Sequence, residues 1–187
     1  KIIEEPKKIL SPKSWPTSLN LNDLNLLDKK NWSAKFDKIW KPGSKEAKLK
    51  LDNFIKNRIS NYVTNRDIPG LEGTSKLSPH LRFGEISPKE IIEIIYFSEA
   101  KCHLKSLKTF KSEIIWREFA HNLLWYFPEI HNKSIKRRFE NFKWNYNNND
   151  FDLWTKGLTG YPIVDAGMRE LWSTGWMHNR IRMITAS

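Results

Sequence analysis

In the stretch EIIWREFAHNLLW, residues Glu113, Trp116, Arg117 and Ala120 fall at i, i+3, i+4 and i+7. On a helix that spacing gives one face carrying a carboxylate, an indole and a guanidinium, with Ile114, Ile115 and Phe119 pointing elsewhere. Two readings fit. One is an exposed Glu113–Arg117 ion pair beside a half-buried Trp116, worth less than about 1 kcal/mol. The other is a stacking platform, with the carboxylate aimed at a base edge and the arginine at a phosphate.

Two further stretches carry chemistry. EGTSKLS, Glu72 to Ser78, sets hydroxyls and an ammonium on a glycine-containing loop, the donor types that a phosphate or pyrophosphate requires. Loops of this composition more often satisfy only their own backbone, and the Gly-Lys-Ser/Thr ending of a P-loop is absent. TGYPIVDAGMRELWSTGWMHNRIRM, Thr159 to Met183, reads as helix, glycine cap and second helix, a corner presenting Trp176, His178, Asn179 and Arg180 together.

The elements that must position these residues are helical. Ser44 is a candidate cap for a helix in which Ala47, Leu51, Phe54, Ile55 and Arg58 recur at three-and-four spacing through about Tyr62. Asn65 to Ser87 is a long Gly/Pro/Ser-rich loop. Ser87, Pro88 and Glu90 give an N-cap, a first-turn proline and the acid of a capping box. A helix follows from about Leu104 to Phe127, stopped by Pro128, with Ile114, Ile115, Phe119, Leu123 and Leu124 as its apolar stripe. Three more follow: near Phe151 to Thr155, from Pro162 to about Gly175, and from about His178. Strand-like alternation is scarce, so the expected class is all-α. Residues 1–43, with four prolines and many Lys and Asn, read as a linker or extended arm, and 44–187 as the helical part.

The chain has 187 residues, 39% of them hydrophobic, and no apolar run approaching the roughly 20 residues that span a bilayer. A single cysteine, Cys102, excludes an intrachain disulfide framework and fits a reducing compartment, so a cytoplasmic protein is expected. Lys plus Arg outnumber Asp plus Glu by 32 to 21, for a net charge of +11 and a pI near 9.7. That excess either keeps the chain soluble or attracts polyanions. No metal-ligating set is expected.

In order and spacing, TSKLS, WREF and TGYPIVDAGMRELWSTGWMHNRIRM resemble the FAD-binding domain of the DNA photolyase and cryptochrome family, nearest to the bacterial class I, folate-type photolyases that repair cyclobutane pyrimidine dimers. The resemblance covers roughly Ser44 to Ser187. It implies a light-driven lyase in which reduced FAD passes an electron to a dimer flipped out of the duplex, base flipping being a general device for which photolyases are a standing example. It implies FAD contacts from Tyr62, Thr74, Ser75, Lys76, Leu77, Ser78 and Phe110, and from Arg182, whose aspartate partner would lie beyond Ser187. Lys76 stands where the family more usually has Arg, keeping the charge and losing the bidentate fork.

By the same resemblance Glu113 hydrogen-bonds the dimer, Trp116 stacks on its bases, and Asn179 completes the catalytic set. Arg66, Arg117, Ala120 and Arg180 join these three in facing DNA, and Trp144 is the outermost tryptophan of an electron relay. The implied partner is DNA containing pyrimidine dimers, bound by a monomer near the bacterial nucleoid, with no membrane. An antenna domain carrying methenyltetrahydrofolate or deazaflavin is expected ahead of this chain and further helices after it. The chain alone is expected to be flavin-poor and marginally stable. A cryptochrome-like photoreceptor without repair activity, or an inactive fragment, are the alternatives.

Overall fold

The computed structural model describes residues 10–26, 32–98 and 103–186; Cys102 lies outside them. The chain divides into two units, Lys1–Ala34 and Lys35–Ser187. In the first, most of the described residues are exposed, with one 3-10 turn at Leu21–Leu24. In the second, the described residues form eight α-helices in order: α1 (Ser44–Asn57), α2 (Tyr62–Asn65), α3 (Ser78–Arg82), α4 (Pro88–Phe97), α5 (Leu104–Tyr126), α6 (Asn148–Lys156), α7 (Pro162–Thr174) and α8 (Asn179–Thr185). Short 3-10 turns connect several of them, and among the described residues there is no strand. The fold is all-α.

α1 forms where its apolar spacing predicts, burying Ala47, Leu51, Phe54 and Ile55 along one stripe. Its boundaries differ from the sequence reading. Gly43 is the N-cap residue, with Ser44 the first residue inside the helix, and the helix ends at Asn57, before a 3-10 turn at Ile59–Asn61 and the short α2. The break turns Tyr62 inward, where its ring meets Phe54 at 5.4 Å and Phe110 of α5 at 5.4 Å, both edge-on. Phe54 and Phe110 complete the trio at 4.7 Å. Each such ring contributes roughly 1.5–3 kcal/mol by burial. The trio ties α1, α2 and α5 into one core with Ile59, Leu77, Leu81, Ile86, Ile91 and Ile95.

Ser87 caps α4 as expected, its hydroxyl accepting from the Glu90 N–H at 3.1 Å. The Glu90 carboxylate closes an ion pair with Lys48 of α1 at 2.8 Å, linking the two helices. Of the stripe expected along α5, only Ile114 is buried; the face that packs is Ser106, Leu107, Phe110 and Ile114, in the first half of the helix. Ile115, Phe119, Leu124 and Trp125 are exposed, because α2 and α4 pack against the N-terminal turns.

α7 and α8 meet over a second cluster, Met168, Met177 and Ile181, flanked by Trp154 of α6 and Val164. Gly167 is what lets them meet: a Cβ there would lie 2.2 Å from Ile181 Cγ2. The entry to α7 is held by Asp165, which accepts from the Thr159 hydroxyl at 2.7 Å and from the Thr159 and Gly160 N–H groups at 2.8 and 3.0 Å. Those donors, the hydroxyl foremost, hold its carboxyl below the usual carboxylate range. No helix among the described residues is long and apolar enough to cross a membrane.

Candidate cofactor and substrate cavity

A cavity of about 510 Å³ opens between α2, the Thr74–Ser78 loop, the middle of α5 and the α7–α8 corner. Its floor is aromatic and apolar, from Tyr62, Leu77, Phe110, Ile114 and Met177, with Trp176 on one side. Its polar lining is lopsided: Arg66, Lys76, Arg82, Arg117, Arg180 and Arg182 supply six cations against the single carboxylate of Glu113. Burial pushes the Tyr62 hydroxyl up to about 12, with Arg66 pulling the other way, so this ring stays neutral at physiological pH.

The loop wall is shaped by two backbone constraints. Gly73 passes so close to α2 that a Cβ would sit 2.4 Å from the Asn65 carbonyl oxygen. Lys76 takes the left-handed conformation, with φ +52°, which a lysine adopts only at some cost. Its ammonium donates to Glu72 Oε1 at 2.6 Å and lies 4.9 Å from the centre of the Trp176 ring. Glu72 also accepts from Arg58 at 3.1 Å. The Lys76 hydrogen bond is the chief reason its carboxyl titrates below the usual range. Ser75 and Ser78 are on the cavity wall beside Thr74, so the loop brings three hydroxyls and an ammonium to one rim.

The opposite rim is a charge relay. Arg66 donates to Glu113 Oε1 at 2.6 Å and approaches Asp67 at 3.5 Å. Asp67 accepts from Arg180 Nε at 2.8 Å and pairs with its NH2 at 2.7 Å. Burial opposes the Arg66 charge, yet the Glu113 hydrogen bond and the Tyr62, Glu113 and Asp67 interactions outweigh it and its pKa is raised. Arg117 donates to the Leu81 carbonyl at 3.2 Å and to Glu118 at 2.6 Å, which fixes α5 to α3. Gly175 ends α7 at φ +72°, and His178 caps α8 by accepting from the Arg180 N–H at 3.1 Å. Asn179, Arg180 and Arg182 thereby reach the cavity. Among the described residues Arg182 makes no ion pair.

The structure thus gathers Tyr62, Arg66, Thr74, Ser75, Lys76, Leu77, Ser78, Phe110, Glu113, Arg117, Asn179, Arg180 and Arg182 around one space. Ala120 and Trp116 are on α5 away from the lining; Trp116 is 62% exposed and edge-on to Phe119 at 5.6 Å. Trp144 is remote from the cavity, 69% exposed and packed edge-on against Phe142 at 4.8 Å. Sequence reasoning missed Asp67, His121, Arg82 and Met177, while Trp176 of the expected corner does line the cavity. Asp67 links its chain neighbour Arg66, which reaches Glu113 47 residues on, to Arg180, 113 residues from Asp67, a juxtaposition that no local spacing announces.

The residues fit a dinucleotide in kind: hydroxyls, an ammonium and a free guanidinium for phosphates, and a neutral aromatic floor for planar rings. Residues 110–187 match the family model described as the FAD binding domain of DNA photolyase. The deoxyribodipyrimidine photo-lyase of Agrobacterium fabrum is 44% identical over 185 residues, which is 98% of this chain and 39% of that protein. The chain belongs to the DNA photolyase and cryptochrome family. A crystal structure of a bacterial class III photolyase from Agrobacterium tumefaciens superposes with a TM-score of 0.89 at 45% identity, over 94% of this chain and 37% of that one. Within the same family, cryptochrome-2 of Arabidopsis thaliana is 36% identical across 92% of this chain and 29% of its own length. The chain therefore spans well under half of these photolyase and cryptochrome relatives.

Proposed function

We propose that this chain forms the FAD- and substrate-binding wall of a light-driven lyase that splits cyclobutane pyrimidine dimers in DNA. The observation that carries the reading is the single cavity shared by the hydroxyl-rich Thr74–Ser78 loop and the Glu113–Arg66 pair. When bound, reduced FAD supplies a photoexcited one-electron donor. Thr74, Ser75 and Ser78 hold its phosphates with hydroxyl and backbone donors, and Lys76 and Arg182 offset their charge. Tyr62 and Phe110 give an apolar floor that excludes water from the reacting rings.

Glu113, kept in place by Arg66, offers its second oxygen to a flipped base, and Asn179 offers an amide to the same base edge. Arg117 and Arg180 are positioned for the phosphates on either side of the lesion, and Trp116 for stacking as the DNA is drawn in. The lopsided lining, six cations to one acid, favours both a pyrophosphate and a DNA strand. Trp144, at the surface, is an entry point for electrons that keep the flavin reduced. In this reading residues 1–43 are the arm that leads into the helical domain from 44 onward, and the protein acts as a monomer in the cytoplasm near its DNA.

The test is dimer-containing DNA incubated with the protein expressed from its full reading frame, under blue light and in the dark. Light-dependent loss of dimers is expected; equal dimer content in both samples overturns the proposal. The match to a plant cryptochrome favours one second reading, a flavin photoreceptor without repair. That reading predicts flavin photoreduction with no loss of dimers.

A further inference from the structure

The segment Lys133–Tyr146, KSIKRRFENFKWNY, is not used by the cavity. It alternates cations with rings: Lys133, Lys136, Arg137, Arg138 and Lys143 interleave with Phe139, Phe142, Trp144 and Tyr146, and Glu140 is its one acid. Every residue of the segment is exposed. Rings on an exposed basic segment offer flat faces to planar groups and cations to their phosphates.

The segment folds around an open groove of about 710 Å³, lined by Ile130, His131, Lys133, Phe139, Glu140 and Trp144 among others. Each of the two rings in the lining has a neighbour beside it: Phe142 packs edge-on with Trp144 at 4.8 Å, and the Arg138 guanidinium lies 4.8 Å from the centre of the Phe139 ring. Lys133 is anchored by Glu129 at 2.9 Å, one turn earlier. From Glu129 to Tyr146 the cations are Lys133, Lys136, Arg137, Arg138 and Lys143, and the acids are Glu129 and Glu140.

Flat rings at about base-stacking scale, set among cations that outnumber the acids, match one ligand chemistry well: a single-stranded nucleic acid, with bases on the rings and phosphates on the cations. A duplex would present phosphates and base edges but no base faces, since its bases already stack on one another. We infer that Lys133–Tyr146 is a second nucleic-acid contact, separate from the cavity, that grips an unpaired strand. It requires nothing of the repair chemistry and stands whether or not the chain acts on dimers.

The test is fluorescence anisotropy of a labelled, undamaged oligo(dT) with the protein in the dark, across a salt series. Replacing Arg137, Arg138 and Lys143 together by Gln is expected to weaken binding about tenfold or more. It should also lower the slope of log affinity against log salt by about 2, since each strand phosphate released contributes about 0.7. Trp144→Ala is expected to weaken binding about fivefold or more at unchanged slope, and Trp144→Phe to restore part of the loss. A control removing three exposed cations elsewhere, Lys45, Lys105 and Lys111 to Gln, should have a clearly smaller effect. Equal weakening by both triple variants would show that net charge alone acts and overturn the inference. So would an unchanged affinity in Trp144→Ala, or tighter binding to a duplex than to the single strand.

Discussion

The Arg66 guanidinium donates to the Glu113 carboxylate at 2.6 Å, and its neighbour Asp67 holds Arg180 at 2.7 Å, so an alternating line of charge runs from α5 to α8 across the cavity mouth. α5 and α8 are far apart in sequence, and this line is what aligns them. Arg66 is the most buried member of the pairs in the line, so its removal leaves Glu113 without a partner in a half-buried place. Arg66→Met is expected to lower stability by about 1–3 kcal/mol, and Arg66→Lys by less. Urea denaturation of the three proteins at pH 7 measures this. By contrast, removal of the exposed Lys56–Asp52 pair should change stability by under about 1 kcal/mol.

Lys76 combines a left-handed backbone with the ammonium of the hydroxyl-rich rim of the cavity. Glycine adopts that conformation freely, so Lys76→Gly gains roughly 0.5–1 kcal/mol of backbone relief and loses the pair with Glu72. The net change in stability is expected to be small. FAD affinity, measured by flavin fluorescence titration, should fall about tenfold or more, while Lys76→Arg retains it. A loss of stability without a loss of affinity would place the lysine's role in the loop alone.

α7 and α8 approach so closely at Gly167 that even a methyl group meets Ile181. Gly167→Ala should therefore cost about 1–3 kcal/mol through displacement of the helices. Pairing it with Ile181→Ala should return part of that loss despite the smaller core. Denaturation midpoints of the two single variants and the double variant form the test, with non-additivity as the expected signature.

His178 gives the fold a pH dependence of known sign. Burial chiefly holds its pKa below the ordinary histidine value, because the neutral ring caps α8 and a charged one would be stranded. The unfolded chain thus binds a proton at higher pH than the folded one does. Stability from this group is fully present above the ordinary histidine value and is lost as pH falls through the folded-state value. Melting temperature should drop on acidification from about pH 7 to 5 in the wild type, and less in His178→Asn, which keeps an N-cap without titrating there.

Much of the helical frame was legible in the sequence because local rules act where the chain is locally determined. Ser87 with Pro88, the Pro128 stop and the Gly175 turn each fix a helix end within one or two residues. The stripe along α1 was legible for the same reason. The stripe along α5 failed beyond Ile114, the one of its five residues that is buried, since periodicity tells which face is apolar and not whether a partner covers it. Within the cavity, the Thr74–Ser78 loop and the 175–183 corner announced themselves through dense polar chemistry. Their meeting with Tyr62 and Glu113 could be expected only through family resemblance. Asp67 was invisible because its significance lies in Arg180, which the tertiary fold brings to it from 113 residues away.

The most direct measurement is dimer repair per bound flavin under blue light, compared between the protein from its full reading frame and its Glu113→Ala variant. The account predicts light-dependent repair in the first. In the second it predicts a yield reduced at least several-fold at equal flavin content, because the carboxylate that meets the flipped base is gone. Repair at an unchanged yield in Glu113→Ala, or no light-dependent repair by the unaltered protein, would contradict it.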